Sequence, residues 1–246
     1  MTVVSVVVGA VTHDGVTVVA HVDSSADVRV AVDADPGMTS PTWHGPVTPS
    51  AEGIARVVLD GLAPETRYDV AVEHDGVLDT QFPGTFRTLP VPGSAASFTF
   101  AAAGDAGLSP ATPGVGDVLA PDRLSNHDIF ATLASRAVAE DWVLFAHLGD
   151  LHYYDLGSDQ HGITGGATLS NYRRAYSDVL LQPNQHELYR SCSWWYLWDD
   201  HDYGPNDSDG THPGKGNAAQ AYRERVPHYP LADTGGQRLV VVLVGV

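Results

Sequence analysis

Short apolar runs separated by turn residues make up the first 90 residues, and none of these runs has a helical period. Their length and their enrichment in valine are typical of β-strands. Asp14-Gly15 and Asp75-Gly76 lie between such runs and are typical of hairpin turns. The predicted strands cover residues 3–8, 16–22, 28–32, 55–59, 68–74 and 85–88. The pattern predicts an antiparallel all-β sandwich over residues 1–90.

Residues 61–68 give this sandwich a more specific signature. They read Gly-Leu-Ala-Pro-Glu-Thr-Arg-Tyr and resemble the tyrosine corner of fibronectin type III domains, with Tyr68 as the corner residue. The resemblance covers about the first 90 residues and implies a fibronectin type III-like domain. Residues 89–94, which contain two prolines and a glycine, then predict a stiff linker.

From residue 97 the pattern changes, because apolar strands now alternate with segments of helical period. Strands are predicted over residues 97–103, 142–148 and 194–198. Ser125 and Asp128 resemble a capping box at the start of a first helix, and a second helix is predicted around residues 172–181. This β-α-β-α-β order predicts an α/β domain over residues 97–246, with a parallel sheet and right-handed crossovers.

Two sets of apolar residues define the core-facing sides of these helices. We expect the first helix to bury Ile129, Phe130, Leu133, Ala137 and Val138. We expect the second to bury Tyr172, Tyr176, Val179 and Leu180.

A carboxylate follows each predicted strand of the α/β part. Asp105 comes after the first strand, Asp150 after the second, and Asp199 and Asp200 after the third. Parallel strands end on the same edge of a sheet, so these side chains should meet in one crevice. Carboxylates repel one another unless a cation compensates them, and hard oxygen ligands suit Fe, Mn, Mg or Ca. The sequence therefore predicts a metal site at this edge.

The residues around these carboxylates resemble those of a known family. Residues 149–153 read Gly-Asp-Leu-His-Tyr, residues 198–202 read Trp-Asp-Asp-His-Asp, and Asn206-Asp207 follows. Together they resemble the PhoD-like alkaline phosphatases, a branch of the calcineurin-like metallophosphoesterases. An all-β domain before a metallophosphatase domain also fits that family. The resemblance implies a dinuclear site that hydrolyses phosphate monoesters or diesters with a metal-activated water.

The resemblance also implies individual metal ligands. Asp105 would bind the first metal and Asp150 would bridge the two metals. Tyr153 would ligate iron as a phenolate, and Asp200 would bind the second metal. The implied ions are Fe³⁺ with Ca²⁺, or with Mn²⁺ or Mg²⁺.

The remaining implied roles belong to three residues of the second motif. Asn206 or Asp199 would complete the second metal site. His201 would lie beside the scissile group and stabilise or protonate it, together with Asp150 as the catalytic residues. Taken alone, His201 would be interpreted as a hydrogen-bonded structural histidine, but its position between two carboxylates favours the site.

Charge and composition limit the partners. The chain has 13 Lys and Arg against 30 Asp and Glu, a formal net charge of −17, which argues against a basic patch for nucleic acid. The apolar run at residues 3–8 is too short to span a bilayer. We expect a soluble chain without a membrane span, acting on a phosphate-ester substrate. Cys192 is the single cysteine, so no intrachain disulfide is possible and the cellular compartment stays open.

Two features set the chain apart from the family pattern. Asp105-Ala106-Gly107 stands where the family has Asp-x-His or a nearby cysteine. Residues 236–246 resemble the start of another core strand, and the family takes further histidine and aspartate ligands from later strands. We therefore expect a truncated metallophosphoesterase domain. The alternative hypothesis is a catalytically inactive fragment that acts as a binding or packing module.

Overall fold

The computed structural model describes residues 2–106, 127–156 and 166–231. The strands in chain order are β1 (Val3–Gly9), β2 (Val16–Val22), β3 (Val28–Asp33), β4 (Thr42–Val47), β5 (Ile54–Leu59), β6 (Arg67–His74), β7 (Val77–Leu78), β8 (Gly84–Arg87), β9 (Thr99–Ala103), β10 (Trp142–Leu148) and β11 (Ser193–Leu197). The helices are α1 (Asp128–Ala139), α2 (Leu169–Leu180), α3 (Pro183–Ser191) and α4 (Lys215–Arg225). Among the described residues, no helix is long and apolar enough to cross a bilayer.

The N-terminal strands form two antiparallel layers around a valine-rich core. One layer contains β5, β2 and β1, and the other runs β4-β3-β6-β7, with β8 also paired to β6. Alternating residues such as Val18, Val30 and Val72 are buried between the layers. The six predicted strands are confirmed. Strands β4 and β7 were not predicted, because β4 contains Gly45-Pro46 and β7 has only two residues.

Two local predictions in this part can be compared with the structure. Asp75 and Gly76 both have positive φ, 54° and 73°, and join β6 to β7, which confirms the predicted hairpin turn. The Ala63 N–H donates to the Tyr68 hydroxyl at 2.9 Å, so this tyrosine reaches back to upstream backbone. The assignment of the sandwich to the fibronectin type III type stays a prediction, as do the domain boundaries.

Strands β9, β10 and β11 are parallel, as predicted, with β10 between the other two. Their paired residues place Leu148 opposite Leu197 and His147 opposite Ala103. The prediction for α2 is also confirmed, since Tyr172, Tyr176, Val179 and Leu180 are all buried. Helix α3 begins at Pro183, a residue that suits the first turn of a helix, but the sequence pattern did not predict it.

The buried stripe of α1 is narrower than predicted. Phe130 and Ala137 are buried and Leu133 packs against the core, but Ile129 and Val138 are 48% and 46% exposed, so their predicted burial is wrong. At about 100° per residue, these two positions lie on either side of the stripe rather than in it. Helix α1 begins at Asp128 with His127 as its N-cap, so the predicted capping box of Ser125 and Asp128 is wrong. Ser125 itself and the predicted strand at 236–246 lie outside the described residues.

The sandwich and the α/β part share one sheet. Strand β1 pairs in parallel with β11 through Gly9 and Trp194, which gives the six-stranded order β5-β2-β1-β11-β10-β9. A Cβ on Gly9 would lie 2.4 Å from the Trp194 carbonyl oxygen, so the close approach requires glycine. Asp141, at the turn before β10, accepts hydrogen bonds from Arg67 and Arg87 of the sandwich. Backbone pairing and ion pairs therefore join the two parts.

A buried histidine also joins them and should make stability depend on pH. His186 Nε2 lies 3.1 Å from the nitrogen and 2.9 Å from the oxygen of Val6, and burial lowers the pKa of His186 to about 4. The unfolded chain, with an ordinary pKa of 6.5, binds a proton that the folded chain does not. The stability that the buried, neutral His186 contributes is fully present above pH 6.5 and is lost as the pH falls towards 4.

We expect His186→Gln to reduce the loss of stability between pH 6.5 and 4. Each titrating histidine changes the free energy of unfolding by about 1.4 kcal/mol per pH unit. Urea denaturation of both proteins at pH 8, 7, 6 and 5 measures this slope. Between pH 7 and 8 the two proteins should differ by a constant amount. Parallel curves below pH 6.5 would contradict the assignment of His186.

Candidate metal centre

The carboxyl ends of β9, β10 and β11 bring the predicted site residues to one edge of the sheet. The chain leaves β9 at Gly104 and β10 at Gly149, and the two segments remain hydrogen-bonded beyond the strands. The Asp105 N–H donates to the Gly149 oxygen at 3.1 Å, and the Ala106 N–H donates to the Asp150 oxygen at 3.0 Å. The predicted convergence of these segments is therefore present.

Three predicted residues form a cluster that could hold a metal ion. One ligand atom each from Asp150, Asp200 and His201 lies within 4.8 Å of the others. Asp150 is buried, and its Oδ1 atom has no hydrogen-bond partner. A buried carboxylate oxygen without a partner is costly, and a cation would compensate it. Two carboxylates and an imidazole fit the hard to borderline divalent or ferric ions named above.

Tyr153 connects Asp105 to this cluster. Its hydroxyl lies 3.1 Å from Asp105 Oδ1 and 3.2 Å from Asp150 Oδ2, within donating distance of both carboxylates. Burial raises the pKa of Tyr153, and the charges of Asp150 and Asp105 raise it further. A phenolate at this position would therefore require a nearby cation. The structure places Asp105, Asp150 and Tyr153 side by side, and their roles as ligands stay predictions.

His201 is held by a residue that the sequence did not single out. Its Nδ1 atom lies 2.6 Å from Oδ1 of the buried Asp155. Nε2 is therefore the nitrogen that is left to bind a metal or to hydrogen-bond a substrate. Burial acts to lower the pKa of His201, but the hydrogen bond and charge of Asp155, with Asp150 and Asp200 nearby, outweigh this and raise it. The ring also lies 4.6 Å from that of Tyr153 between centroids.

The electrostatics of the cluster favour a bound cation. Burial raises the pKa of Asp150 to about 6, Asp200 and Asp105 add to the rise, and His201 and Tyr153 oppose it. Burial also raises the pKa of Asp202 to about 7, although backbone donors from Asp199 and Leu151 oppose the rise. Both pKa values lie close to neutral pH, so the protonated and the ionised forms of these two carboxyl groups coexist there. A metal ion held by Asp150 would replace its proton and stabilise the ionised carboxylate.

Asp199 and Asn206 make other bonds in this structure. Asp199 Oδ1 accepts from the Asp200 N–H at 2.9 Å and caps a short 3-10 turn, and Asn206 Nδ2 donates to Asp207 Oδ2 at 2.7 Å. Among the described residues, Asp199 does not belong to the three-residue cluster, and the roles of Asp199 and Asn206 as ligands stay predictions. The Asp207 N–H in turn donates to Asp200 Oδ2 and orients that carboxylate, a contact that sequence spacing gave no reason to expect.

The fold of the chain is similar to that of solved structures. The chain is similar to the structure of PhoD, with a TM-score of 0.71 and 20% sequence identity over 97% of this chain and 48% of that chain. It is also similar to the purple acid phosphatase PPD1 from seeds of yellow lupin (Lupinus luteus), with a TM-score of 0.59 and 15% identity over 95% of this chain and 41% of that one. The chain thus spans about half the length of these structures.

No protein-family model matches the chain, and a search of the curated proteins also found no match. At 20% and 15% identity, the likeness to the two phosphatase structures establishes the fold. The motifs at residues 149–153 and 198–202 predicted a resemblance to PhoD. The similarity of the two structures confirms that resemblance at the level of the fold.

Proposed function

We propose that this chain is a metal-dependent phosphoesterase, which hydrolyses phosphate monoesters or diesters with a metal-activated water at a dinuclear site. One observation carries the proposal: Asp150, Asp200 and His201 lie together, with Asp150 Oδ1 buried and without a partner, at the carboxyl edge of a parallel sheet. That edge is where ligands bind in α/β folds. The fold shared with PhoD and a purple acid phosphatase supports the same reaction class.

In this proposal the metal ligands come from all three parallel strands. Asp150, Asp105 and Tyr153 would hold the first ion, and Asp200, again with Asp150, would hold the second. When bound, the cations would polarise the phosphoryl oxygens and lower the pKa of a bound water. A phenolate from Tyr153 favours Fe³⁺ at the first site, and the oxygen ligands of the second accept Ca²⁺, Mn²⁺ or Mg²⁺.

His201 then acts on the leaving group. Asp155 occupies Nδ1 and so fixes the ring orientation, with Nε2 directed away from that bond. Burial acts to lower the pKa of His201, but the hydrogen bond and charge of Asp155, with Asp150 and Asp200 nearby, raise it and so favour the protonated imidazole, the form that can donate to a departing alkoxide. In this proposal His201 supplies the proton for the leaving group, and the residues around Asp150 would hold the cations.

We also propose that residues 1–90 are a fibronectin type III-like domain. The hydrogen bond from the Ala63 N–H to Tyr68 and the two antiparallel layers support this assignment. Its pairing with β11 through Gly9 gives it a supporting role next to the site-bearing strands.

The first prediction concerns the proposed bridging ligand. Asp150→Asn removes one carboxylate charge, so we expect the variant to lose bound metal and to hydrolyse p-nitrophenyl phosphate and bis-p-nitrophenyl phosphate at least about 100-fold more slowly. Elemental analysis and initial rates on the same samples measure both effects. Asp60→Asn, which changes a carboxylate of the sandwich that is 86% exposed, is the matched control and should keep wild-type metal content.

A folded wild-type chain without metal and without turnover would contradict the phosphoesterase proposal. Equal metal content in the wild type and in Asp150→Asn would also contradict it. Either result would favour the alternative hypothesis of an inactive binding or packing module.

The second prediction tests His201 as the acid. His201→Gln should slow hydrolysis of an alkyl phosphate by about 100-fold or more, since its leaving group needs a proton. Hydrolysis of p-nitrophenyl phosphate should slow much less, because p-nitrophenolate leaves readily. Steady-state kinetics with both substrates give this ratio. His13→Gln, at a partly exposed histidine of the sandwich, is the control. Equal losses for both substrates would argue against the acid role.

The third prediction concerns Tyr153 and iron. A ferric phenolate absorbs visible light, so iron-loaded wild type should be coloured and Tyr153→Phe should lose the band. Visible spectra at equal iron content, checked by elemental analysis, measure this effect. Tyr154→Phe is the matched control, because the Tyr154 hydroxyl bonds to Asp178 instead of the cluster. An unchanged band in Tyr153→Phe would exclude this tyrosine as the iron ligand.

A further inference from the structure

The three residues of the cluster lie on two separate loops. One loop follows β10 and carries Asp150, and the other follows β11 and carries Asp200 and His201. The strands end opposite each other at Leu148 and Leu197, but the strand ladder does not extend into the loops. The affinity of a shared metal ion depends on how firmly the two loops are held relative to each other.

A buried carboxylate, Asp202, connects the backbone segments of the two loops. Asp202 is fully buried, and its Oδ2 atom accepts from the Asp150 N–H at 2.9 Å and from the Asp199 N–H at 2.8 Å. Its Oδ1 atom accepts from the Leu151 N–H at 2.8 Å. The bond to Asp199 closes a local capping box, but the other two reach a loop about 50 residues away in sequence. Asp202 therefore does more than cap a turn.

The backbone that Asp202 holds has an unusual conformation. Gly149 and Asp150 have positive φ, 98° and 55°, and for the aspartate this is a sparsely populated region. A Cβ on Gly149 would lie 2.5 Å from the Asp199 Cβ, so the two loops touch at this point. The hydrogen bonds from consecutive N–H groups of Asp150 and Leu151 to one carboxylate stabilise this conformation and set the direction of the Asp150 side chain.

We infer that Asp202 is a positioning residue for the metal centre, which clamps the Asp150 loop to the Asp199 loop and so sets the spacing of the ligands. The inference rests on the proposed function and goes beyond it, because Asp202 itself binds no ion. Removal of the clamp should weaken metal binding even though every ligand remains in the chain.

The experiment measures Mn²⁺ binding to metal-free protein by the loss of the free-ion electron paramagnetic resonance signal. We expect Asp202→Ala to weaken Mn²⁺ binding by about 10- to 100-fold. Asp202→Asn keeps one oxygen that can accept two of the three N–H groups, so it should lose less affinity. Leu188→Ala, a truncation in the same hydrophobic core, controls for general destabilisation and should keep wild-type affinity.

A second measurement follows the clamp itself without metal. Among the amides of Asp150, Leu151 and Asp199, hydrogen exchange should accelerate in Asp202→Asn for at least the amide that loses its acceptor oxygen. All three should keep the wild-type rate in Leu188→Ala. The Asn variant keeps this measurement possible where the Ala variant fails to fold.

The outcomes separate the two levels of the proposal. If the wild type binds Mn²⁺ and the Asp202 variants bind it equally well, the clamp is overturned and the phosphoesterase proposal stands. Unchanged exchange of the three amides in the Asp202 variants has the same consequence. If the wild type binds no Mn²⁺ while amide hydrogen exchange still depends on Asp202, the metal centre is overturned, and the positioning role with it. Weakened Mn²⁺ binding together with faster exchange supports both.

Discussion

The site depends on the parallel pairing of β10 with β9 and β11. Because the three strands run in the same direction, the chain leaves each of them at the same edge, and the first polar residues after each strand meet there. Asp150 and Asp200 then lie together at that edge, and the buried Asp202 accepts hydrogen bonds from the backbone of the loop that carries Asp150. This arrangement of carboxylates is unfavourable without a compensating cation: burial raises the pKa of Asp150 to about 6, and the charge of Asp200 adds to the rise.

Much of the fold could be predicted from the sequence because strand patterns are local. Valine-rich runs and Asp-Gly turns fix the sandwich strands, and the alternation of strand and helix fixes the parallel sheet. The errors occur where local pattern is ambiguous. Ile129 and Val138 are apolar but flank the buried stripe of α1, and α3, with its polar Pro183–Ser191 sequence, shows too few apolar positions to predict a helix. Tertiary contacts decide such positions.

The site could be predicted in part, for the same reason. Asp150, Asp200 and His201 follow strands directly, so the topology alone brings them together, and the structure shows them as one cluster. Asp155 and Asp207 could not be predicted, since their contacts with His201 and Asp200 depend on how the loops turn after the strands. Spacing along the chain carries no information on that path. The residues that position ligands are therefore harder to find in a sequence than the ligands themselves.

The shared sheet changes how the two parts of the chain relate to each other. Residues 89–94 mark a change of sequence pattern, and this change predicts a linker between the two parts. Strand β11, however, lies between β10 of the α/β part and β1 of the sandwich, with Gly9 against Trp194. Without β1, the strand that carries the second ligand loop would be an edge strand with unpaired backbone groups. The sandwich therefore completes the environment of the site-bearing sheet, and its glycine contact belongs to the structural support of the proposed metal centre.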